Sequence, residues 1–126
     1  MIAPSCTRRV PLSTQPAEAR RQMGQLLAES DWDGDADIVI LAVHEAMVNA
    51  QRHAGGVTAA TVSLDGPAVV VEVRDKGRGF DVPESPDMPD PAAERGRGLF
   101  LIRRLADRAD VVKRNGEFCL SLRFER

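Results

Sequence analysis

The spacing of apolar and polar residues predicts three helices and five strands. Apolar side chains recur at helical spacing in three segments, whereas five shorter runs are rich in residues that favour strands. The expected helices cover residues 17–28, 38–54 and 98–109, and the expected strands cover 9–12, 58–64, 68–74, 110–114 and 117–125. Asp65-Gly66-Pro67 and Asn115-Gly116 are turn signals that join two pairs of consecutive strands as hairpins.

The order of these elements predicts a two-layer α+β fold. Helices and strands do not alternate as they do in a parallel βαβ fold, so we expect helices on one face of a mixed, mostly antiparallel sheet. The run Val69–Val73 is apolar enough to be a central strand, and Pro11 restricts the first strand to an edge. The segment 75–97 has no periodicity and is expected to be a long loop that is either functional or disordered.

Composition limits the kinds of protein that this chain can be. With 126 residues and 13.7 kDa it fits one domain, 1–126, of which 1–8 are expected to be flexible. The net charge of -2 and the scattered Arg residues provide no basic stripe for nucleic acid. No apolar run approaches the ~20 residues of a membrane span, so we expect a cytoplasmic protein. Its cysteines, Cys6 and Cys119, are expected to be free thiols, with Cys119 a small core residue.

The second predicted helix carries a ridge of polar side chains. Glu45, Asn49 and His53 are spaced four residues apart, so they lie on nearly one face of the helix. An amide oxygen together with phosphate oxygens suits Mg²⁺, and a carboxylate one turn away can orient or deprotonate a hydroxyl group or water. Taken alone, the same spacing also fits an ordinary solvated helix face.

A second motif, Asp75-x-Gly77-x-Gly79, follows the apolar strand. An ionised Asp75 can accept a hydrogen bond from an exocyclic amine such as that of adenine, and the two glycines allow the backbone to approach a flat ring. Taken alone, this motif also fits a simple turn.

The third motif is Arg95-Gly96-Arg97-Gly98-Leu99, which opens the last predicted helix. Unpaired backbone N–H groups and the helix dipole at such a position favour an anion, and the two guanidinium groups are suited to phosphate. Taken alone, the segment also fits a flexible hinge.

Other kinds of site do not fit the sequence. The chain has no Gly-Lys-Ser or Gly-Lys-Thr, which excludes a P-loop, and neither glycine pair continues as a Rossmann fingerprint requires. Its two histidines are His44 and His53, and no Cys or His pair has the spacing of metal ligands. We expect His44 on the side of its helix away from the polar ridge.

In order and spacing, the three motifs resemble the N-box and the two glycine boxes of the GHKL ATPases, the superfamily that includes histidine kinases and gyrase. The phrases HEAMVNAQRHAGG, VRDKGRGFDVP and ERGRGLFLIRRLAD are similar to those of bacterial anti-sigma-factor serine/threonine kinases. The resemblance extends from about Pro16 to the C-terminus. It implies a Bergerat-type sandwich that binds ATP and Mg²⁺.

For the base and metal, the resemblance implies that Glu45 is the catalytic base, that Asn49 binds Mg²⁺ and that His53 lies at the edge of the nucleotide pocket. Asp75 corresponds to the residue that contacts adenine, with Gly77 and Gly79 forming the adjacent wall.

For the phosphates, the resemblance implies contacts from Gly96, Arg97, Gly98 and Leu99, with Arg95 placed at the γ-phosphate and residues 81–97 forming the lid. Family members often carry Thr just after the final turn, where this chain has Gly116-Glu117-Phe118-Cys119. Adenine binding would therefore depend more heavily on Asp75.

These roles imply a kinase that transfers phosphate from Mg²⁺-ATP to Ser or Thr of a small antagonist protein with a STAS fold, and/or sequesters a sigma factor. The alternative is a regulatory module that binds ATP or ADP and captures a partner without phosphoryl transfer. An ordinary structural α+β domain would require all three motifs to be coincidental. We expect no direct nucleic-acid or membrane partner, and a homodimer formed through the N-terminal region.

Overall fold

The computed structural model describes residues 8–76, 94–114 and 116–125, and within them the elements follow the predicted order. The strands are β1 (Arg8–Leu12), β2 (Val57–Asp65), β3 (Ala68–Asp75), β4 (Arg108–Arg114) and β5 (Glu117–Glu125). The helices are α1 (Pro16–Glu29), α2 (Ala36–Ala54) and α3 (Glu94–Leu105). Residues 1–7 of the segment expected to be flexible lie outside the described residues, and Arg8 begins β1.

The described strands form one sheet in the order β1-β2-β3-β5-β4, and all four neighbouring pairs are antiparallel. Strand β3 is central, as its apolar run predicts. Strand β1 pairs with β2 alone, so Pro11 lies on an edge strand, where a missing N–H group is tolerated. The predicted α+β sandwich is confirmed.

The hairpin between β2 and β3 turns at Gly66 and Pro67, between the paired residues Asp65 and Ala68. Gly66 has φ 58°, a region that glycine enters without steric cost. In the hairpin between β4 and β5, Gly116 has φ 79°, and Asn115 lies outside the described residues.

Buried side chains occur at every second position of the central strands, which indicates that the helices cover one face of the sheet. The buried strand residues are Val69, Val71 and Val73 on β3, and Phe118, Leu120, Leu122 and Phe124 on β5. The helices complete this core with Ala19, Met23, Val39, Val43, Met47 and Ile102, among others. None of the described helices has both the length and the apolar composition that a bilayer crossing requires.

Helix α2 begins two residues earlier than predicted. Asp35 is its N-cap, and the carboxylate of Asp35 accepts hydrogen bonds from the N–H groups of Asp37 (3.0 Å) and Ile38 (3.3 Å). A side chain that satisfies free N–H groups fixes where a helix starts, so Ala36 is its first residue.

Helix α3 was predicted at 98–109, and this range is wrong at both ends, since the helix is Glu94–Leu105. The chain leaves the helix early because it joins the sheet: the Asp107 N–H group donates to the Arg123 carbonyl oxygen (2.9 Å), and Arg103 Nη1 donates to the Ala109 carbonyl oxygen (2.9 Å). Pairing with β5 outweighs the helical pattern that continues in the sequence.

Cys119 is not a core residue, contrary to the prediction. It lies between the buried residues Phe118 and Leu120 of β5, so its side chain is on the opposite face of the sheet, where it is half-buried. Its thiol donates to a carboxylate oxygen of Glu72 at 4.0 Å. Burial, and then the negative charge of Glu72, raise the pKa of the Cys119 thiol, which favours its neutral form. Cys6 lies outside the described residues.

Trp32, the single tryptophan, connects the segment before α2 to the hairpin between β2 and β3. Its ring is packed against the core, and Nε1 donates to the Pro67 carbonyl oxygen at 2.9 Å. The ring also lies directly over Gly34, so a β-carbon at that position would overlap it.

We expect Gly34→Ala to lower the free energy of unfolding by about 1–3 kcal/mol, because the added methyl group must displace the Trp32 ring. Urea unfolding measures the loss, and a red shift of tryptophan fluorescence reports the displacement. Gly24→Ala is the matched control. A β-carbon there meets only Ile40 Cδ1 at 3.8 Å, so alanine should be neutral or stabilise the helix by up to about 1 kcal/mol. Equal stability of both variants would contradict this account of Trp32.

Candidate functional site

One end of the sheet brings together elements that are distant in sequence. Strand β3 ends at Asp75, which is paired with Val57 at the start of β2 and with Phe118 near the start of β5. Helix α2 ends at Ala54 and is linked to β2 by only Gly55 and Gly56. The C-terminal end of α2 therefore lies at the same end of the sheet as Asp75.

Helix α3 runs toward the end of the sheet opposite Asp75. It is followed by β4, whose first residue Arg108 pairs with Arg123 near the end of β5. The first turn of α3, at Glu94–Arg97, is therefore the part of this helix farthest from that end of the sheet. Helix α3 contacts α2, so α2 lies between α1 on one side and α3 on the other.

The two flanks of α2 carry different residues. Ile40 and His44 line a groove of about 650 Å³ between α1 and α2. Because each residue of an α-helix turns by about 100°, Glu45 and Asn49 are each rotated by about 140° from Ile40 and His44, respectively. Asn49 faces the flank away from α1, whereas Glu45 lies at the border of that flank, because Leu41, which also lines the groove, is only about 40° from Glu45 around the helix. His44 is on the side away from the polar ridge, as expected, and its Nδ1 is buried without a partner among the described residues.

Two predicted site residues are buried. Among the described residues, the only buried polar or charged ones are Asn49 (9% exposed) and Asp75 (6% exposed). Glu45 is half-buried one turn before Asn49, so this part of the ridge is not an ordinary solvated helix face. Burying an amide or a carboxylate costs free energy unless other groups compensate for it, so buried polar positions are candidates for a functional site.

The other predicted site residues are described only in part. His53 is in the last turn of α2, but its side chain is outside the description, and Gly77 and Gly79 are outside it altogether. The same holds for residues 81–93 of the predicted lid. The roles of these residues stay predictions.

The segment from Arg95 to Leu99 is helical, rather than the turn that precedes a helix. Since α3 begins at Glu94, helical hydrogen bonding directs the N–H groups of Gly98 and Leu99 to carbonyl groups of the preceding turn. N–H groups free to bind an anion belong to the beginning of the helix, no later than Gly96.

Sequence analysis did not identify the neighbours of Asp75. Phe118 is 4% exposed and directly opposite Asp75 on β5, and Val57 is the partner on β2, partly buried against the core. The alternation of apolar residues along β5 is a signal for the face that Phe118 occupies. Its position beside Asp75 depends on the register between strands, which the sequence does not give.

A sequence model of the family described as "Histidine kinase-like ATPase domain" matches residues 11–124. The chain belongs to this family. Its fold is that of a GHKL-type ATP-binding module, and the match covers all described elements except the first residues of β1 and the last residue of β5. A comparison with curated proteins found no match.

Asn49→Leu tests whether the buried amide is needed for the fold. We expect the free energy of unfolding to stay unchanged or to rise by up to about 1 kcal/mol, because leucine has the same branched shape and leaves no polar group to bury. Urea unfolding measures this free energy. Asn49→Ala, the control, removes the amide and also leaves a cavity, so it should lose about 1 kcal/mol or more. If leucine were as destabilising as alanine, the amide would be holding the fold together.

Proposed function

We propose that this chain is a Mg²⁺-ATP-dependent protein serine/threonine kinase of the anti-sigma-factor type, which phosphorylates a small antagonist protein with a STAS fold and/or holds a sigma factor. The observation that supports this most is the position of two buried polar residues, Asn49 and Asp75, with Glu45 one helical turn before Asn49. A module that only bound nucleotide would need no carboxylate at the position of Glu45.

In this proposal Asp75 accepts a hydrogen bond from the adenine amine, and Asn49 holds Mg²⁺ through its amide oxygen. The residues present fit this metal. Asn49 offers a buried amide oxygen, and Mg²⁺ is commonly bound through one or two protein oxygens together with phosphate oxygens and water. When bound, the metal neutralises charge on the phosphates.

Glu45 accepts the proton of the partner's hydroxyl group as the hydroxyl oxygen forms its bond to the γ-phosphorus. The bond from that phosphorus to the bridging oxygen breaks, and ADP leaves with the electron pair. Arg95 and the free N–H groups at the start of α3 stabilise the charge on the transferred group. His53, Gly96, Arg97, Gly98 and Leu99 complete the nucleotide-binding residues of the proposal.

The proposed kinase acts in the cytoplasm on protein partners and forms a homodimer through its N-terminal region. Nucleotide binding with partner capture and no transfer is the competing function, and the two experiments below separate them.

Mg²⁺-ATP at ~100 times its dissociation constant should raise the free energy of unfolding by about 2.7 kcal/mol, which is several degrees in melting temperature for a domain of this size. Asp75→Asn should lower this rise clearly, because a neutral amide oxygen accepts the adenine N–H more weakly than an ionised carboxylate does. Glu72→Gln is the matched control: it removes a carboxylate of the same strand whose side chain points to the other face and contacts Arg9. Loss of the rise in both variants would contradict the role of Asp75, and no rise in the wild type would contradict nucleotide binding.

Glu45→Gln should keep the ATP-induced rise in melting temperature but lower phosphoryl transfer by about 10²–10⁴-fold, because glutamine cannot accept the hydroxyl proton. The measurement is incorporation of phosphate from labelled ATP into a STAS-fold antagonist protein. Asp37→Asn, which changes a carboxylate on the α1 flank of the same helix, should transfer normally. An unchanged rate in Glu45→Gln would exclude the role of Glu45. Partner binding without any transfer in the wild type would favour the regulatory module.

A further inference from the structure

The surroundings of Asp75 suggest how the site distinguishes one base from another. Asp75 and Phe118 are opposite each other in the register of β3 and β5, and both are almost fully buried, at 6% and 4% exposed. Successive positions of a strand alternate between faces, so both side chains lie on the face that the helices cover. On the other side of Asp75, Val57 begins β2.

The carboxylate therefore lies between two apolar side chains. Opposing residues of an antiparallel pair have their β-carbons about 4.5–5.5 Å apart. A ring that is hydrogen-bonded to Asp75 is then within reach of the Phe118 side chain. The phenyl group has no hydrogen-bond donor or acceptor, so its contribution is contact with the flat surface or the edge of a second ring.

The carboxylate alone cannot identify adenine. Adenine and cytosine both present an exocyclic amine to a hydrogen-bond acceptor, whereas guanine and uracil present a carbonyl oxygen at the corresponding position. For a base held by this edge, Asp75 therefore disfavours the carbonyl bases but accepts cytosine as well as adenine. The two amine-bearing bases differ in size, because adenine has two fused rings and cytosine has one.

We propose that Phe118 is the specificity-determining residue that makes this site prefer adenine nucleotides to cytosine nucleotides. The larger ring system of adenine makes more contact with the phenyl group while its amine is bound to Asp75. This inference rests on the nucleotide binding proposed above and extends it to the choice of base.

The test is isothermal titration of the full chain with Mg²⁺-ADP and with Mg²⁺-CDP, for the wild type, Phe118→Leu and Phe124→Leu. Diphosphates are used because they bind without any transfer reaction. The wild type should bind ADP about tenfold or more tightly than CDP, and Phe118→Leu should reduce this ratio about three- to tenfold, which is the range that aromatic contacts give.

Phe124→Leu is the matched control. Phe124 is on the same strand and the same face as Phe118, it is 2% exposed, and it pairs with Val69 at the opposite end of the sheet. Both variants lose the same ring from the core, so both should lower the melting temperature. Only Phe118→Leu should change the ratio of ADP to CDP affinity.

If Phe118→Leu and Phe124→Leu had the same ratio of ADP to CDP affinity, the role of Phe118 would be overturned while nucleotide binding stayed intact. A wild type that bound ADP and CDP equally would overturn it as well. If the wild type bound neither nucleotide, the proposed function would fail, and this inference with it.

Discussion

Strand β3 is hydrogen-bonded to β2 on one side and to β5 on the other, and this pairing is the constraint on which the rest of the structure depends. Its register places Val69, Val71 and Val73 on the covered face, and the same alternation brings Asp75 to that face at the end of the strand. A slip of one residue would move the apolar set to solvent and the carboxylate away from the helices. The core and the candidate site are therefore fixed by one choice of register.

The two ends of the sheet have different characters. At the hairpin end, Phe124 is buried, and Trp32 connects the segment before α2 to Pro67. At the other end the buried positions include Asn49 and Asp75. An apolar end that supplies stability allows the polar end to retain groups that packing alone would not select, which is the usual relation between a stable scaffold and an active site.

Helix α2 contributes both to the core and to the candidate site. One of its faces packs on the sheet through residues such as Val43 and Met47, and one flank forms the groove with α1. Asn49 lies on the other flank, with Glu45 one helical turn before it. Since the helix is anchored at its start by Asp35 and by packing along its length, the spacing of Glu45 and Asn49 is set by a rigid element rather than by a loop. A candidate site on such an element keeps its spacing more precisely than one on a loop.

The sequence by itself determined the order and type of the elements and indicated the candidate site residues. Apolar periodicity is a local property, so it predicted the central strand β3, the edge strand with Pro11 and the order of helices and strands, and the spacing of Glu45 and Asn49 predicted their common ridge. Tertiary structure decided what depends on contacts between distant segments. Pairing with β5 ended α3 at Leu105, strand alternation placed Cys119 outside the core, and the β3–β5 register put Phe118 beside Asp75. A sequence pattern gives the face that each residue occupies within its own element, whereas the partner across that face is chosen by long-range pairing and packing.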